Sequence, residues 1–243
     1  YLNLIVCQNS LKKKGPNVLN GASLAIPKGS VVGLLGKNGS GKTTLLKCAM
    51  GLLKIDAGQA HVFGEQAWDL SAQAKEQLGY VPQVISLYPW MRVGHLIGYT
   101  ASFYKTWNDR VVDSLVEQWE LDTKARIGPL SVGQLQKLAL VLSLGHQPKL
   151  LVLDEPVASL DPGGRRTFLR TILDMAMDGE TTVLFSTHIT SDLERVADSV
   201  AILKDGAITY HGELDALKDD VKRLHISSKH ELPATLNIPG TLS

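Results

Sequence analysis

Three short runs of apolar residues predict buried β-strands. They span residues 31–35, 150–153 and 182–185, and glycine or polar residues follow each run. Continuous apolar runs that alternate with helical stretches are typical of a parallel sheet covered on both faces. Ligands bind such sheets at the carboxyl ends of the strands, and all three polar clusters fall there. The pattern therefore predicts an α/β fold with a ligand site at this edge.

The remaining pattern is mainly helical. Residues 43–53 predict a helix directly after the first strand. Between Pro89 and Gly145 the apolar spacing is helical, as in residues 111–119 and 135–142, and no strong strand occurs. We interpret this stretch as an inserted helical subdomain.

The C-terminal part begins with a predicted hairpin. Residues 201–210 alternate and contain Asp205-Gly206, a dipeptide that favours a tight hairpin turn. After about His225 the sequence is polar, includes Pro233 and Pro239, and carries no motif. We expect a tail there, over residues 221–243.

A phosphate-binding loop follows the first predicted strand. Residues 36–43 match the G-x-x-x-x-G-K-[ST] pattern between a strand and a helix. Glycine lets successive N–H groups point at phosphate oxygens, Lys42 would reach the β- and γ-phosphates, and Thr43 would ligate Mg²⁺. A glycine-rich turn without a ligand is the weaker interpretation, because a chance match has a probability on the order of one per cent. The predicted nucleotide-binding residues are Gly36, Lys37, Asn38, Gly39, Ser40, Gly41, Lys42, Thr43 and Thr44.

Two carboxylates follow the second predicted strand. Asp154 is placed to hold Mg²⁺, and Glu155 to polarise a water that attacks the γ-phosphate. An acidic pair at a strand end, taken alone, is also explained by capping of the next element. Beside a phosphate loop, the catalytic interpretation is the stronger one.

With four further motifs, the chain resembles the nucleotide-binding subunits of ABC transporters over roughly residues 1–220. The resemblance implies that Gln83, in Val-Pro-Gln, contacts magnesium and senses the γ-phosphate. It implies that Ser131, Gly133 and Gln134, in Leu-Ser-Val-Gly-Gln, complete the ATP site of an opposing subunit. The remaining two of the six motifs lie further along the chain.

Ser159-Leu160-Asp161 is similar to the family's D-loop, and Asp161 would lie at the dimer interface. His188 matches the switch histidine that contacts the γ-phosphate, whereas the other six histidines fall in no recognisable constellation. The implied fold is a P-loop NTPase core with a mostly parallel sheet, an N-terminal antiparallel β subdomain and a helical subdomain inserted at about residues 84–145. The predicted catalytic residues are Glu155, His188 and Gln83; the predicted metal ligands are Thr43, Gln83 and Asp154.

Two positions depart from the family pattern. Val132 stands where the family usually has glycine, and a positive φ there would cost a β-branched residue about 1 to 3 kcal/mol. Alternatively Ser131 and Gly133 supply their donors in ordinary geometry while Val132 points away, the interpretation we favour. No aromatic residue occurs at residues 11–14, where the family stacks one on adenine, so we expect relaxed base selectivity.

Composition excludes several classes of protein. Lysine plus arginine number 25 against 24 acidic residues, which gives no electrostatic argument for nucleic acid binding. Cys7 and Cys48 lack the spacing of a zinc site and disfavour a disulfide framework. No apolar stretch approaches the roughly 20 residues that span a bilayer. We expect a cytoplasmic protein, peripheral on the inner face of the cell membrane.

The resemblance implies a Mg²⁺-dependent ATPase with ATP as ligand, working as a head-to-tail homodimer or with a paralogous subunit. Integral membrane subunits would form the transport path, and Trp107 with residues 186–198 looks most like ABC-2 type exporters. Residues 88–93 either pack in the core or receive a helix from a membrane subunit. A soluble ABC-type ATPase acting on ribosomes or DNA, and a module that binds ATP without hydrolysing it, are the competing hypotheses.

Overall fold

The computed structural model describes residues 2–9, 17–177 and 179–220, with the backbone alone for residues 2–9 and 220. The β-strands are β1 (Leu2–Asn9), β2 (Leu19–Ile26), β3 (Val31–Leu35), β4 (Ala57–Val62), β5 (Glu65–Gln66), β6 (Leu78–Val81), β7 (Leu150–Asp154), β8 (Thr182–Thr187), β9 (Ser199–Lys204) and β10 (Ala207–Glu213). The α-helices are α1 (Lys42–Ala49), α2 (Ala72–Glu76), α3 (Val93–Ala101), α4 (Asp109–Gln118), α5 (Val132–Leu144), α6 (Pro162–Ala176), α7 (Thr190–Val196) and α8 (Leu214–Asp220).

The central sheet has six strands in the order β10-β9-β3-β8-β7-β6. The five strands from β9 to β6 pair in parallel, and only β10 is antiparallel to its neighbour. Strands β3, β7 and β8 are almost wholly buried, as their continuous apolar runs predict. The predicted α/β fold with a mostly parallel sheet is therefore confirmed.

A second, antiparallel sheet has the order β2-β1-β4-β5. Its first two strands precede the phosphate loop, and its last two follow α1. The implied antiparallel β subdomain is thus present, and the chain returns to it over residues 57–66. Buried residues of β2, β4 and α1 form one apolar core between the two sheets, in which Leu24, Leu46 and Val62 take part.

The first predicted helix is shorter than expected. Residues 43–53 read as one helix, but α1 ends at Ala49. Gly51 has φ of 70°, and the N–H groups of Leu52 and Leu53 turn back to the carbonyl of Lys47. A Cβ at Gly51 would lie 1.8 Å from the Ala67 carbonyl oxygen, so only glycine lets the chain pass there. Gly51 therefore ends the helix where the apolar pattern alone continues it.

Helices α3, α4 and α5 lie between β6 and β7 and make up the predicted helical stretch. These helices pack against the sheet through a second apolar core, to which Leu96, Leu115 and Leu138 belong. The predicted hairpin is formed by β9 and β10, and its turn residues Asp205 and Gly206 have φ of 49° and 78°. Within the described ranges, no helix combines the length and apolar character that crossing a membrane requires.

Three of the predicted features lie outside the described residues. They are the side chain of Cys7, residues 11–14 with their missing aromatic residue, and the tail at residues 221–243. The division of the chain into a domain, an insertion and a tail stays a prediction.

Candidate functional site

Four neighbouring parallel strands deliver the predicted motifs to one edge of the sheet. The phosphate loop follows β3, His188 follows β8, the acidic pair ends β7, and Gln83 follows β6. These strands are consecutive in the sheet, and their register pairs Leu35 with Thr187 and Asp154 with Ser186. Residues far apart in sequence therefore meet because their strands run side by side and end together.

The phosphate loop has the backbone that its glycines permit. Gly39 and Gly41 have φ of 83° and 103°, a region that other residues rarely adopt. Gly36 leaves no room for a side chain, since a Cβ there would lie 2.5 Å from Ser40 Oγ. Helix α1 begins at Lys42 directly after Gly41, so its free N–H groups and positive dipole end face the loop. This is a backbone suited to an anion.

Lys42 carries its charge beneath the loop. Its side chain is only 6% exposed, and Nζ donates to the carbonyl oxygens of Gly36 at 2.7 Å and Lys37 at 3.3 Å. The same ammonium lies 3.1 Å from Glu155 Oε1. A buried lysine normally needs such partners, and all three lie at the carboxyl edge of the sheet.

Glu155 connects Lys42 with His188. Its second carboxylate oxygen, Oε2, lies 2.9 Å from His188 Nδ1, while the His188 side chain is 43% exposed. Glu155 has φ of 50°, a strained value for a residue with a side chain. One buried carboxylate thus links a buried ammonium to a partly exposed imidazole, an arrangement that can polarise a water and donate to an anionic group.

Ser186 holds the acidic pair in place, and the sequence reasoning missed this role. Its Oγ accepts a hydrogen bond from the Glu155 N–H at 2.9 Å and donates one to Asp154 Oδ1 at 2.7 Å. The serine is fully buried at the end of β8, directly opposite Asp154 in the register. A polar residue that ends an apolar strand beside the acidic strand is the signal that could have found it.

Asp154 fits the role of a magnesium ligand. Its Oδ2 is buried and has no hydrogen-bond partner among the residues that the structure describes. Burial, with the nearby Asp154 charge, raises the pKa of Tyr80 to about 12. The described part of the chain has no cluster of three or more histidine, cysteine, aspartate or glutamate residues that could enclose a metal. Asp154 and Thr43 supply one carboxylate and one hydroxyl. Proteins typically bind Mg²⁺ beside phosphates with such a small number of oxygen ligands.

Gln83 and Thr44 take less central places. Gln83 is exposed on the loop after β6, at the same edge of the sheet. Thr43 and Thr44 are half-buried in the first turn of α1. Lys37, Asn38 and Gly39 are exposed, as the tip of a loop that meets a ligand requires.

The Ser131 to Gln134 motif starts α5 and is separate from the phosphate loop. Ser131 Oγ accepts from the Gln134 N–H at 3.2 Å, and the Gln134 Oε1 accepts from the Ser131 N–H at 2.9 Å, which forms a capping box. Val132 is the first helical residue, lacks a positive φ, and is 63% exposed. The backbone strain considered for Val132 therefore does not arise, whereas the donor role of Ser131 and Gly133 with Val132 pointing away stays a prediction.

Gly133 lies close to the segment from Ser159 to Asp161, which is the predicted D-loop. A Cβ at Gly133 would lie 3.1 Å from the Ser159 carbonyl oxygen, so the two segments are in close contact. Asp161 caps α6 by accepting from the N–H groups of Gly163 at 3.0 Å and Gly164 at 3.3 Å. These bonds lower the pKa of the Asp161 carboxyl, and the bond from Gly164 has the largest effect on it. The predicted site residues therefore form two groups, one around Glu155 and one around Gly133.

Comparison with known proteins agrees with this geometry. Residues 19–158 match the family described as "ABC transporter". An uncharacterised ABC transporter ATP-binding protein, YxlF of Bacillus subtilis (strain 168), is 37% identical over 201 residues, which are 81% of this chain and 66% of the relative. Nod factor export ATP-binding protein I of Burkholderia lata is 34% identical, over 82% of this chain and 67% of the relative. The chain thus spans about two thirds of the length of these curated relatives.

A solved structure shows the same fold. The ATP-binding subunit of an ABC transporter superposes with a TM-score of 0.81 at 26% identity, covering 90% of this chain and 92% of that chain. Residues 19–158, which match the family, contain the phosphate loop, the acidic pair and the Ser131 to Gln134 motif. The chain therefore belongs to the ABC transporter family and has the fold of its ATP-binding cassettes.

Proposed function

We propose that this chain is the ATP-binding subunit of an ABC transporter and that it hydrolyses ATP in a head-to-tail dimer. The observation that carries the proposal is the series of contacts beside the phosphate loop from buried Lys42 through buried Glu155 to the partly exposed His188, with spacings of 3.1 Å and 2.9 Å. Residues 1–220 form the ATPase domain in this proposal, with the helical subdomain inserted at about 84–145 and residues 221–243 as a tail.

Each residue of the first group has a distinct part in hydrolysis. Residues 36–44 bind the phosphates through backbone N–H groups, and Lys42 neutralises the β- and γ-phosphates. Glu155 acts as the general base toward the attacking water, while His188 donates to the γ-phosphate. Mg²⁺, held by Thr43, Asp154 and Gln83, would neutralise charge on the phosphate oxygens.

The second group supplies the dimer contact. Ser131, Gly133 and Gln134 lie at the N-terminus of α5, where the positive end of the helix dipole favours an anion. Ser131, Gln134 and Asp161 are exposed, so a second subunit can reach them. In the proposed dimer these residues of one subunit face the phosphate loop of the other, and ATP holds the two together. The second subunit is either another copy or a paralogue.

A surface of four aromatic side chains is the proposed contact with a membrane subunit. This aromatic surface consists of Tyr88, Trp90, Tyr99 and Phe103, which are 45 to 68% exposed. Their rings contact one another at centroid distances of 5.0 to 6.3 Å. The two earlier interpretations of residues 88–93, core packing and contact with a membrane subunit, each fit part of the segment. Val93 is fully buried in the core, whereas Trp90 is exposed. A contiguous apolar patch of this kind suits an apolar helix.

Transport by export is the finer part of the proposal. It is supported by the Burkholderia lata relative, which is named for Nod factor export. In this arrangement the chain works in the cytoplasm, peripheral on the inner face of the membrane, and no nucleic acid takes part. A soluble ATPase acting on ribosomes or DNA is the alternative, and finding a neighbouring open reading frame for a multi-span membrane protein would argue against it.

The proposal is tested by measuring Mg²⁺-dependent ATP hydrolysis by the purified full chain over a range of protein concentrations. A head-to-tail dimer of two copies of this chain predicts that the rate per chain rises with concentration, because each site needs Ser131 and Gly133 of a second copy. Lys42→Ala serves as the control that removes phosphate binding. Hydrolysis no faster than in this control refutes the ATPase, and a rate per chain independent of concentration refutes the shared site.

A further inference from the structure

Asp192 is a buried carboxylate to which the proposed reaction gives no part. It lies in the first turn of α7, four residues after His188, and is only 2% exposed. Its Oδ2 has no hydrogen-bond partner among the described residues. An aspartate is rarely buried to this extent unless a charged partner compensates it. The partner identifies what the residue does.

Arg165 supplies the compensating charge from a different helix. Its Nη1 lies 3.8 Å from Asp192 Oδ1, and its side chain is about one third exposed. Arg165 belongs to the first turn of α6, where its N–H donates to the carbonyl of Asp161 at 2.9 Å. The ion pair therefore joins the start of the helix after Asp161 to the start of the helix after His188.

Asp192 also lies within electrostatic reach of the catalytic group. Burial raises the pKa of the Asp192 carboxyl, while the charges of Arg165, Arg195 and His188 lower it and that of Glu155 raises it. Arg165 is the largest of these opposing influences. Without this arginine, the ionised carboxylate would be left buried and largely uncompensated.

His188 depends on the start of α7 for its position. The side chain is 43% exposed, and Glu155 Oε2 is its close polar contact. Ile189, which precedes α7, gives the helix no side-chain cap, although its N–H donates to Thr187 Oγ1 at 3.0 Å. Leu193, the next residue after Asp192, packs against Gly33, where a Cβ would lie 1.8 Å from Leu193 Cδ2. Leu193 anchors the helix to the sheet, and Asp192 anchors it to α6.

We propose that Asp192 and Arg165 are positioning residues that act through His188. Their ion pair fixes the first turn of α7 against the first turn of α6 and so sets the place of the imidazole beside Glu155. The inference rests on the proposed ATPase function. It also connects Asp161, in the proposed dimer interface, to His188 through Arg165, so that a partner seated at Asp161 acts on the histidine.

The first test is a double-mutant cycle on kcat with the full chain. Asp192→Asn lowers kcat about tenfold in the wild-type background and less than twofold in the His188→Ala background, because a positioning residue has nothing left to position. Asp192→Glu keeps the charge and restores most of the rate. Glu194→Gln is the matched control, since Glu194 is exposed on the same helix and the charge change is equal. Equal losses in both backgrounds overturn the proposal.

A second readout needs no hydrolysis. The imidazole signals of His188 in a ¹H–¹³C spectrum, recognised by their loss in His188→Ala, shift in Asp192→Asn and in Arg165→Gln but stay in place in Glu194→Gln. If the wild-type protein hydrolyses no ATP, the proposed function fails, and these signals alone decide on the positioning pair. His188 signals that do not move in Asp192→Asn and Arg165→Gln overturn it.

Discussion

Lys42 Nζ and Glu155 Oε1 lie 3.1 Å apart and are almost completely buried. The lysine is the residue proposed to hold the phosphates, and the glutamate is the proposed base. A γ-phosphate bound at Lys42 would therefore compete with Glu155 for the same ammonium. Because breaking a buried ion pair is costly unless the charge finds a new partner, we expect nucleotide binding to be coupled to the release of Glu155 from Lys42.

Glu155→Gln should weaken the nucleotide-free protein. The change removes the charge that compensates Lys42, although the carbonyl oxygens of Gly36 and Lys37 remain as acceptors. We expect the free energy of unfolding to fall by about 1 to 3 kcal/mol in urea titrations. Glu117→Gln, an exposed residue of α4, controls for the loss of one negative charge. A nucleotide-free Glu155→Gln protein as stable as wild type would contradict the pairing.

Ser186→Ala should disturb the acidic pair from behind. It removes the hydroxyl that accepts from the Glu155 N–H and donates to Asp154 Oδ1, and both groups are left buried. We expect a loss of roughly 1 to 3 kcal/mol in the free energy of unfolding, with a lower kcat. The control is Ser191→Ala on the exposed face of α7. Equal stabilities of the two variants would show that Ser186 does not hold the pair.

Val132 and Gly133 provide a matched comparison of adjacent positions. Val132→Gly changes an exposed side chain in ordinary helical geometry, so the ATPase rate should stay within about twofold of wild type. Gly133→Ala places a Cβ 3.1 Å from the Ser159 carbonyl oxygen, pushes the two interface segments apart, and should lower the rate roughly tenfold. Steady-state rates at one protein concentration decide the matter. A larger change in the ATPase rate in Val132→Gly than in Gly133→Ala would mean that Val132 is the position that limits the rate.

His146 should make the stability depend on pH. Burial lowers the pKa of His146, whose ring stacks on Tyr104 at 4.1 Å. As the pH falls, the unfolded chain then binds more protons than the folded chain. The contribution of neutral His146 to the free energy of unfolding is therefore complete above about pH 6.5 and is lost at lower pH. His146→Phe keeps a ring without the titration.

The thermal midpoint should therefore fall less between pH 7.5 and 5.5 in His146→Phe than in wild type. His95→Gln, an exposed histidine on α3, should behave like wild type. Equal losses in His146→Phe and wild type would exclude His146 as the source of the pH dependence.

The sequence predicted the parts of the fold whose signals are local. Buried strands such as β7 read as continuous apolar runs, and Asp205-Gly206 marks its own hairpin. The end of α1 could not be read this way, because Gly51 is required by its close approach to Ala67, a contact between segments. Short strand β6, four residues with an alternating burial pattern, was too weak a signal to identify before Gln83.

The candidate site followed the same division. The loop and the acidic pair are contiguous motifs. Ser186 instead forms a hydrogen bond with Asp154, 32 residues away in sequence, and Asp192 forms an ion pair with Arg165, 27 residues away. Asp192 in the first turn of a helix looks like a residue that complements the helix dipole. Only the packing of α6 beside α7 shows that it is buried against an arginine.

The central claim is that ATP is bound between two copies of the site and that Glu155 drives its hydrolysis. The most direct measurement is the molar mass of Glu155→Gln in solution with ATP and Mg²⁺, by size exclusion with light scattering, together with its ATP turnover. The account predicts a stable ATP-dependent dimer and no turnover, with a monomer when ATP is omitted. A Glu155→Gln protein that stays monomeric with ATP, or hydrolyses it at the wild-type rate, would contradict the account.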